Sequence, residues 1–233
     1  MPPALLANAA YDFIVQGGPI MAPILISLFV ALVVIFERSL WWLQLRRRCS
    51  PEKLQHVWNA LAAGDFAQAL ELSRGGDDPY LDTVHQGLVH AHSSFLGAMQ
   101  MRASESLEQA EKRMWILSTF ITLAPLLGLM GTVIGIMHSF SFVGNADLAA
   151  AKVGGGIGEA LIATACGLGV AILCLLPYNF FKQRIHRLRD HMERTINHTE
   201  LVVEAAKHHG HDLETFSRRQ AIDSLNQVER LKG

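Results

Sequence analysis

An all-α membrane protein, with three spanning helices and long cytoplasmic helical extensions, is the architecture this sequence predicts. Half of the 233 residues are hydrophobic and only 18% are charged, where a soluble domain carries about a quarter charged residues. The apolar residues collect in three blocks, each longer than the roughly 18 residues that suggest a spanning helix. No stretch shows strand alternation, and no internal repeat is visible.

Residues 1–18 read as an N-terminal segment on the outer face. It contains no Lys or Arg, so it lacks the basic start of a secretory signal, and a retained short helix over residues 1–16 is expected. Residues 19–44 form the first span, closing on Leu40-Trp41-Trp42-Leu43 before the basic run Arg46-Arg47-Arg48.

Residues 45–114 are expected to form a cytoplasmic helical domain. Ser50-Pro51-Glu52 resembles an N-cap followed by proline at the first helical position. That helix is expected to stop at Gly64, with Asp65 capping a second over residues 66–73. Residues 74–79 then break the pattern as a loop. A charged amphipathic helix from about residue 95 to 113 is expected to run unbroken into the second span, residues 115–142. An outer loop over 143–153 leads to the third span, residues 154–181. The C-terminal part, 182–233, reads as a helix over 182–206, an interruption at His208-His209-Gly210-His211, and a last helix over 212–231.

Charge placement sets the topology. Of the 20 Lys and Arg, only Lys152 lies between spans two and three, and none precedes span one. By the positive-inside bias the N-terminus faces outward and both large polar segments face the cytoplasm. A net charge of −1 conceals this asymmetry. The three cysteines suggest no disulfide framework: Cys49 reads as cytoplasmic, while Cys166 and Cys174 stand about 12 Å apart on one helix, beyond disulfide reach, and read as small packing residues.

Glu159 is the only charged residue in the apolar run 153–181. A charged side chain at a span centre costs about 2.5–3.5 kcal/mol on insertion scales, and such residues face a bundle interior or a wet pathway. Its setting, Gly154-Gly155-Gly156-Ile157-Gly158-Glu159, is rich in small residues. The alternative is that the carboxylate satisfies the free N–H groups of its own helix N-terminus.

Counting depth at 1.5 Å per residue, Thr132 lies roughly 25 Å up span two and Glu159 about 8 Å down span three. That puts them at similar depth, with Thr164 just over a turn deeper, so the three could line one hydrophilic path. For the threonines the alternative is a hydrogen bond to their own helix.

Gly128, Gly131 and Gly135 in span two, and Ala163, Gly167 and Ala171 in span three, form stripes that permit close helix approach. Such packing serves either the chain's own helices or a contact between subunits. An oligomer is favoured, because ionisable residues in spans face an interior and three spans alone make a poor pore.

Other chemistry is absent from the pattern. The glycine cluster lacks the Gly-Lys-Ser/Thr of a phosphate loop. The His208–His211 tract lacks the spacing of a structural metal site and reads as a solvated tail. No nucleophile–base pair, cofactor motif or nucleic-acid patch is present, so an enzyme is not expected.

The segment Ala124-Pro125-Leu126-Leu127-Gly128-Leu129-Met130-Gly131-Thr132-Val133-Ile134-Gly135-Ile136-Met137 resembles the ExbB/TolQ/MotA family of ion-driven membrane motors. Gly158-Glu159-Ala160-Leu161-Ile162-Ala163-Thr164-Ala165-Cys166-Gly167-Leu168 is similar to that family's third span. Gly17-Gly18-Pro19 and the Glu37-Arg38 pair fit too. One departure is Pro177, which stands a turn beyond the position near Leu173 where relatives usually carry proline.

The resemblance implies a homopentamer around a central channel in the bacterial inner membrane. Two copies of a single-span ExbD- or TolR-like partner would occupy the channel. It implies that the partner's membrane Asp carries the proton, that Thr132 and Thr164 line the route, and that Glu159 faces the channel. Inward proton flow would drive a TonB- or TolA-like protein in outer-membrane transport or envelope maintenance. Three spans argue against the MotA branch, which has four, and the ExbB-like reading is slightly preferred to the TolQ-like one. The alternatives are a non-conducting scaffold that anchors a partner, and a sodium-driven motor of the same family.

Overall fold

The structure is a computed structural model that describes residues 17–74, 77–141 and 149–232. The expected N-terminal helix over 1–16, and most of the outer loop over 143–153, lie outside the described residues. Among those described there are eight α-helices and no strand. Three helices are long and apolar enough to cross a membrane.

Helix α1 (Met21–Arg48) is apolar for most of its length and closes on Arg46, Arg47 and Arg48. Helix α2 (Pro51–Ala62) has Pro51 at its first position and Ser50 as N-cap, though the Ser50 hydroxyl makes no capping bond. Gly64 ends this turn at φ +76°, a left-handed conformation that glycine adopts at little cost. Helix α3 (Phe66–Ser73) is capped by Asp65, which accepts from Gln68 N at 2.9 Å. Helix α4 (Pro79–Val89) begins with a proline and is capped by Asp78, which accepts from Tyr80 N at 2.9 Å.

Helix α5 (Ala91–Glu111) contains an extended residue, Ser94. Its hydroxyl accepts from Gly97 N at 3.1 Å, so a fresh helical stretch starts after it. Helix α6 (Met114–Phe140) follows, but α5 does not run unbroken into it. The chain breaks at Lys112 and Arg113, and Arg113 takes the left-handed conformation at φ +65°. This corrects the expectation of one continuous helix, and the cause is tertiary: the turn points the Arg113 guanidinium at Glu37 of α1.

Helix α7 (Ala149–His208) is a single 60-residue helix, about 90 Å long. It begins inside the stretch expected as a loop. Ala149-Ala150-Ala151 extends it backwards, alanine being the best intrinsic helix former. After Gly210 at φ +90°, Asp212 accepts from Glu214 N at 3.1 Å and starts α8 (Leu213–Lys232).

The chain divides into two compact units, Met1–Ser39 with Arg113–Lys182, and Leu40–Lys112 with Gln183–Gly233. The first holds the apolar helix segments. Its outward side chains, among them Phe29, Phe36, Leu126 and Leu161, are large, apolar and exposed, as a lipid-facing surface requires. The second has a conventional core in which Val57, Leu61, Val84, Met99 and Met192 are fully buried. There Trp58 Nε1 donates to the Thr199 hydroxyl at 3.0 Å.

Candidate ion pathway

Spans two and three meet through their smallest residues. A Cβ added at Gly128 would lie 3.0 Å from Thr164 Cα, one at Gly131 would lie 2.7 Å from Ala163 Cβ, and one at Gly135 would lie 2.9 Å from Ala160 Cβ. On the opposite helix, a Cβ at Gly167 would lie 3.1 Å from Gly128 Cα. Ascending numbers on α6 meet descending numbers on α7, so the two helices run antiparallel. These glycines are buried against the same chain, and Ala163 and Ala171 are buried with them. Backbones this close leave room for no larger side chain.

Among the described residues the contact carries one inter-helix side-chain hydrogen bond. The Thr164 hydroxyl donates to the Gly128 carbonyl at 2.9 Å. Thr132 behaves differently, donating to Leu129 O of its own helix at 2.6 Å. No hydrogen bond among the described residues joins Glu159, Thr132 and Thr164 to one another. The register instead orders them by depth. Gly135 stands level with Ala160, next to Glu159, while Gly128 stands level with Thr164. Thr132 therefore falls between the two, about a turn from the Glu159 level.

Glu159 is half-buried. Its carboxylate lies against Gly18, so closely that a Cβ at position 18 would overlap it. Gly18 itself sits at φ +70°, and the turn Gly17-Gly18 leads into α1, where Met21 N donates to Gly18 O at 3.1 Å. A Cβ at Gly17 would come within 3.3 Å of Ile162 Cγ2. The start of α1 is thus the neighbour of the Glu159 turn. The only signal of this in the sequence is the Gly17-Gly18-Pro19 triplet.

The far end of the same unit holds a charge cluster that joins residues distant in sequence, Glu37 and Arg38 with Arg113. Glu37 accepts from Arg38 Nη2 at 2.8 Å and pairs through its other oxygen with Arg113. Arg38 is buried at 3% exposure, whereas Glu37 is 35% exposed. A carboxylate shared by two guanidiniums compensates a buried cation that would otherwise be costly.

One side of α7 carries small residues with nothing beside them among the described residues. Added Cβ atoms at Gly154, Gly155, Gly158 and Gly169 would meet no atom within 4 Å. In the histidine tract, His211 packs its ring on Gly64. No group of three or more His, Cys, Asp or Glu among the described residues is placed to hold a metal.

A family model described as the MotA/TolQ/ExbB proton channel family matches residues 78–194. The ExbB-like 1 biopolymer transport protein of Synechocystis sp. is 33% identical over 175 residues, covering 72% of this chain and 68% of the relative. The biopolymer transport protein ExbB of Neisseria gonorrhoeae is 30% identical over 191 residues, 69% of this chain and 83% of the relative. The Tol-Pal system protein TolQ of Haemophilus influenzae is 40% identical over 92 residues, 39% of this chain and 40% of the relative.

Proposed function

The chain belongs to the MotA/TolQ/ExbB proton channel family, and on that premise we propose that it is the channel-forming subunit of a motor driven by the proton-motive force. In this reading several copies, expected as a homopentamer, surround a channel in the inner membrane, with the N-terminus periplasmic and the C-terminus cytoplasmic. A single-span ExbD/TolR-like partner occupies the channel and carries the proton. Its motion drives a TonB- or TolA-like protein in outer-membrane transport or envelope maintenance.

The observation that carries this is Glu159. It is a carboxylate inside an apolar span, seated against Gly18 and followed by a hydroxyl, Thr164, that bonds across the close contact between spans two and three. Its cost in hydrocarbon is reasonable where the neighbouring face meets a wet channel or a partner helix. The bare glycine face at Gly154, Gly155, Gly158 and Gly169 supports a second helix there, since small residues are what membrane helices pack against.

The test is the composition and ion dependence of the complex. The chain co-expressed with a single-span ExbD/TolR-like partner is extracted and its mass measured intact. A ring of chains enclosing partner copies is expected, and a monomer or dimer with no partner inside would contradict the reading. Work output should survive replacement of sodium by potassium at fixed pH and collapse when the proton gradient is dissipated. Loss on removing sodium would instead select the sodium-driven alternative.

A further inference from the structure

The second unit contains an open groove with a volume of about 690 Å³, outside anything the ion pathway uses. Its walls are two helix faces at i, i+3, i+4, i+7 spacing. Pro51, Leu54 and Trp58 come from α2, and His191, Arg194 and His198 from α7, with Tyr80 at the head of α4 closing one end. The aromatic groups are fixed by one another: Trp58 meets His198 edge-on at 4.3 Å between centroids, and Tyr80 meets His191 at 6.4 Å. Trp58 is further held by its hydrogen bond to Thr199. The groove is mostly apolar and of the size that small-ligand sites have.

Its polar groups divide sharply. Asp78 is 3% exposed, and both its oxygens are engaged, one by Ser50 N at 2.6 Å and the other by Tyr80 N at 2.9 Å. The Cys49 thiol is pushed up to about 11 by burial and by the Asp78 charge, and the Tyr80 phenol is pushed up for the same first reason; both are neutral. Arg194 is exposed and makes no ion pair or hydrogen bond among the described residues. An unpaired guanidinium beside an apolar floor is suited to a carboxylate or phosphate.

We propose that this groove binds an amphipathic organic anion, an apolar chain lying along Leu54 and Trp58 with its single carboxylate or phosphate head on Arg194. A neutral ligand would leave the guanidinium unused. The same chemistry can come from a free medium-chain acid or from a single-chain phospholipid.

The test uses the full chain in nanodiscs of zwitterionic lipid, titrated calorimetrically with decanoate, with lysophosphatidylglycerol and with neutral decanol, each against empty nanodiscs. Saturable binding of at least one anionic probe at one per chain is expected, about tenfold weaker for decanol. Arg194→Glu should abolish it and Arg194→Lys should retain most of it; both are surface changes that leave the circular dichroism unaltered. Tighter binding of lysophosphatidylglycerol than of decanoate would assign the ligand to membrane lipid, and the reverse order to a free acid. Uptake indistinguishable from empty nanodiscs, or saturable binding indifferent to Arg194→Glu, would overturn the proposal.

Discussion

The carboxylate of Glu159 fills the space in which any side chain at position 18 would begin, while Gly18 holds a left-handed backbone at φ +70°. Two separate reasons therefore demand glycine there, one conformational and one steric. The pairing also ties the membrane acid to the start of the first span, so displacing one must displace the other.

Gly18→Ala should destabilise the protein by about 1–3 kcal/mol from the strained backbone alone, with a further loss from the clash. The double change Gly18→Ala with Glu159→Ala should recover the steric part, giving a coupling above about 0.5 kcal/mol in a thermal-unfolding cycle. Strict additivity of the two changes would show that the residues do not touch.

Thr164→Val should cost more stability than Thr132→Val, because only the Thr164 hydroxyl crosses to another helix. Inter-helix hydrogen bonds in membranes average about 0.6 kcal/mol and reach about 1.7. Melting midpoints of the two variants in one detergent check this, and an equal or reversed order would contradict the contact.

Arg113 has two roles that substitution can separate. Its left-handed backbone favours glycine, whereas its side chain pairs with Glu37. Arg113→Gly should lose the ion pair but relieve the backbone, leaving stability within about 0.5 kcal/mol of the parent. Arg113→Ala should lose the pair and keep the strain, so it should melt lower than Arg113→Gly. If alanine proves the milder change, the break between α5 and α6 is not held this way.

His85 supplies a pH dependence in the second unit. Burial is the main cause that lowers its pKa, and Ser73 Oγ lies 3.0 Å from its Nδ1. A lowered pKa means that the unfolded chain takes up the proton more readily than the folded one. Its contribution to stability is therefore complete above about pH 6.5 and is lost as pH falls below that value. Unfolding measured at pH 7.5 and pH 5.5 should show a smaller difference in His85→Asn than in the parent, and an unchanged difference would exclude His85 as the source.

Much of this architecture is legible in the sequence because lipid imposes it. Three apolar blocks and a lone carboxylate are one-dimensional signals, and caps such as Asp65 are local ones. The partner of Glu159 is not local. Gly18 precedes it by a long stretch of chain, and only the packing register brings them together. The break at Arg113 is hidden for the same reason, since Lys112 and Arg113 have good helix propensity and yield to a carboxylate on α1. Depth counting along each span puts Thr132 at similar depth to Glu159, whereas the glycine contacts put it about a turn deeper, because the packing of α6 on α7, not span length, sets their register.

Proton uptake into liposomes containing the chain and its single-span partner tests the central idea most directly. With a proton gradient imposed, the parent complex should conduct, and Glu159→Ala and Thr164→Val should each reduce the flux at least tenfold while ring assembly, followed by intact mass, is unchanged. Fully assembled rings of both variants conducting as the parent does would contradict a pathway through Glu159 and Thr164.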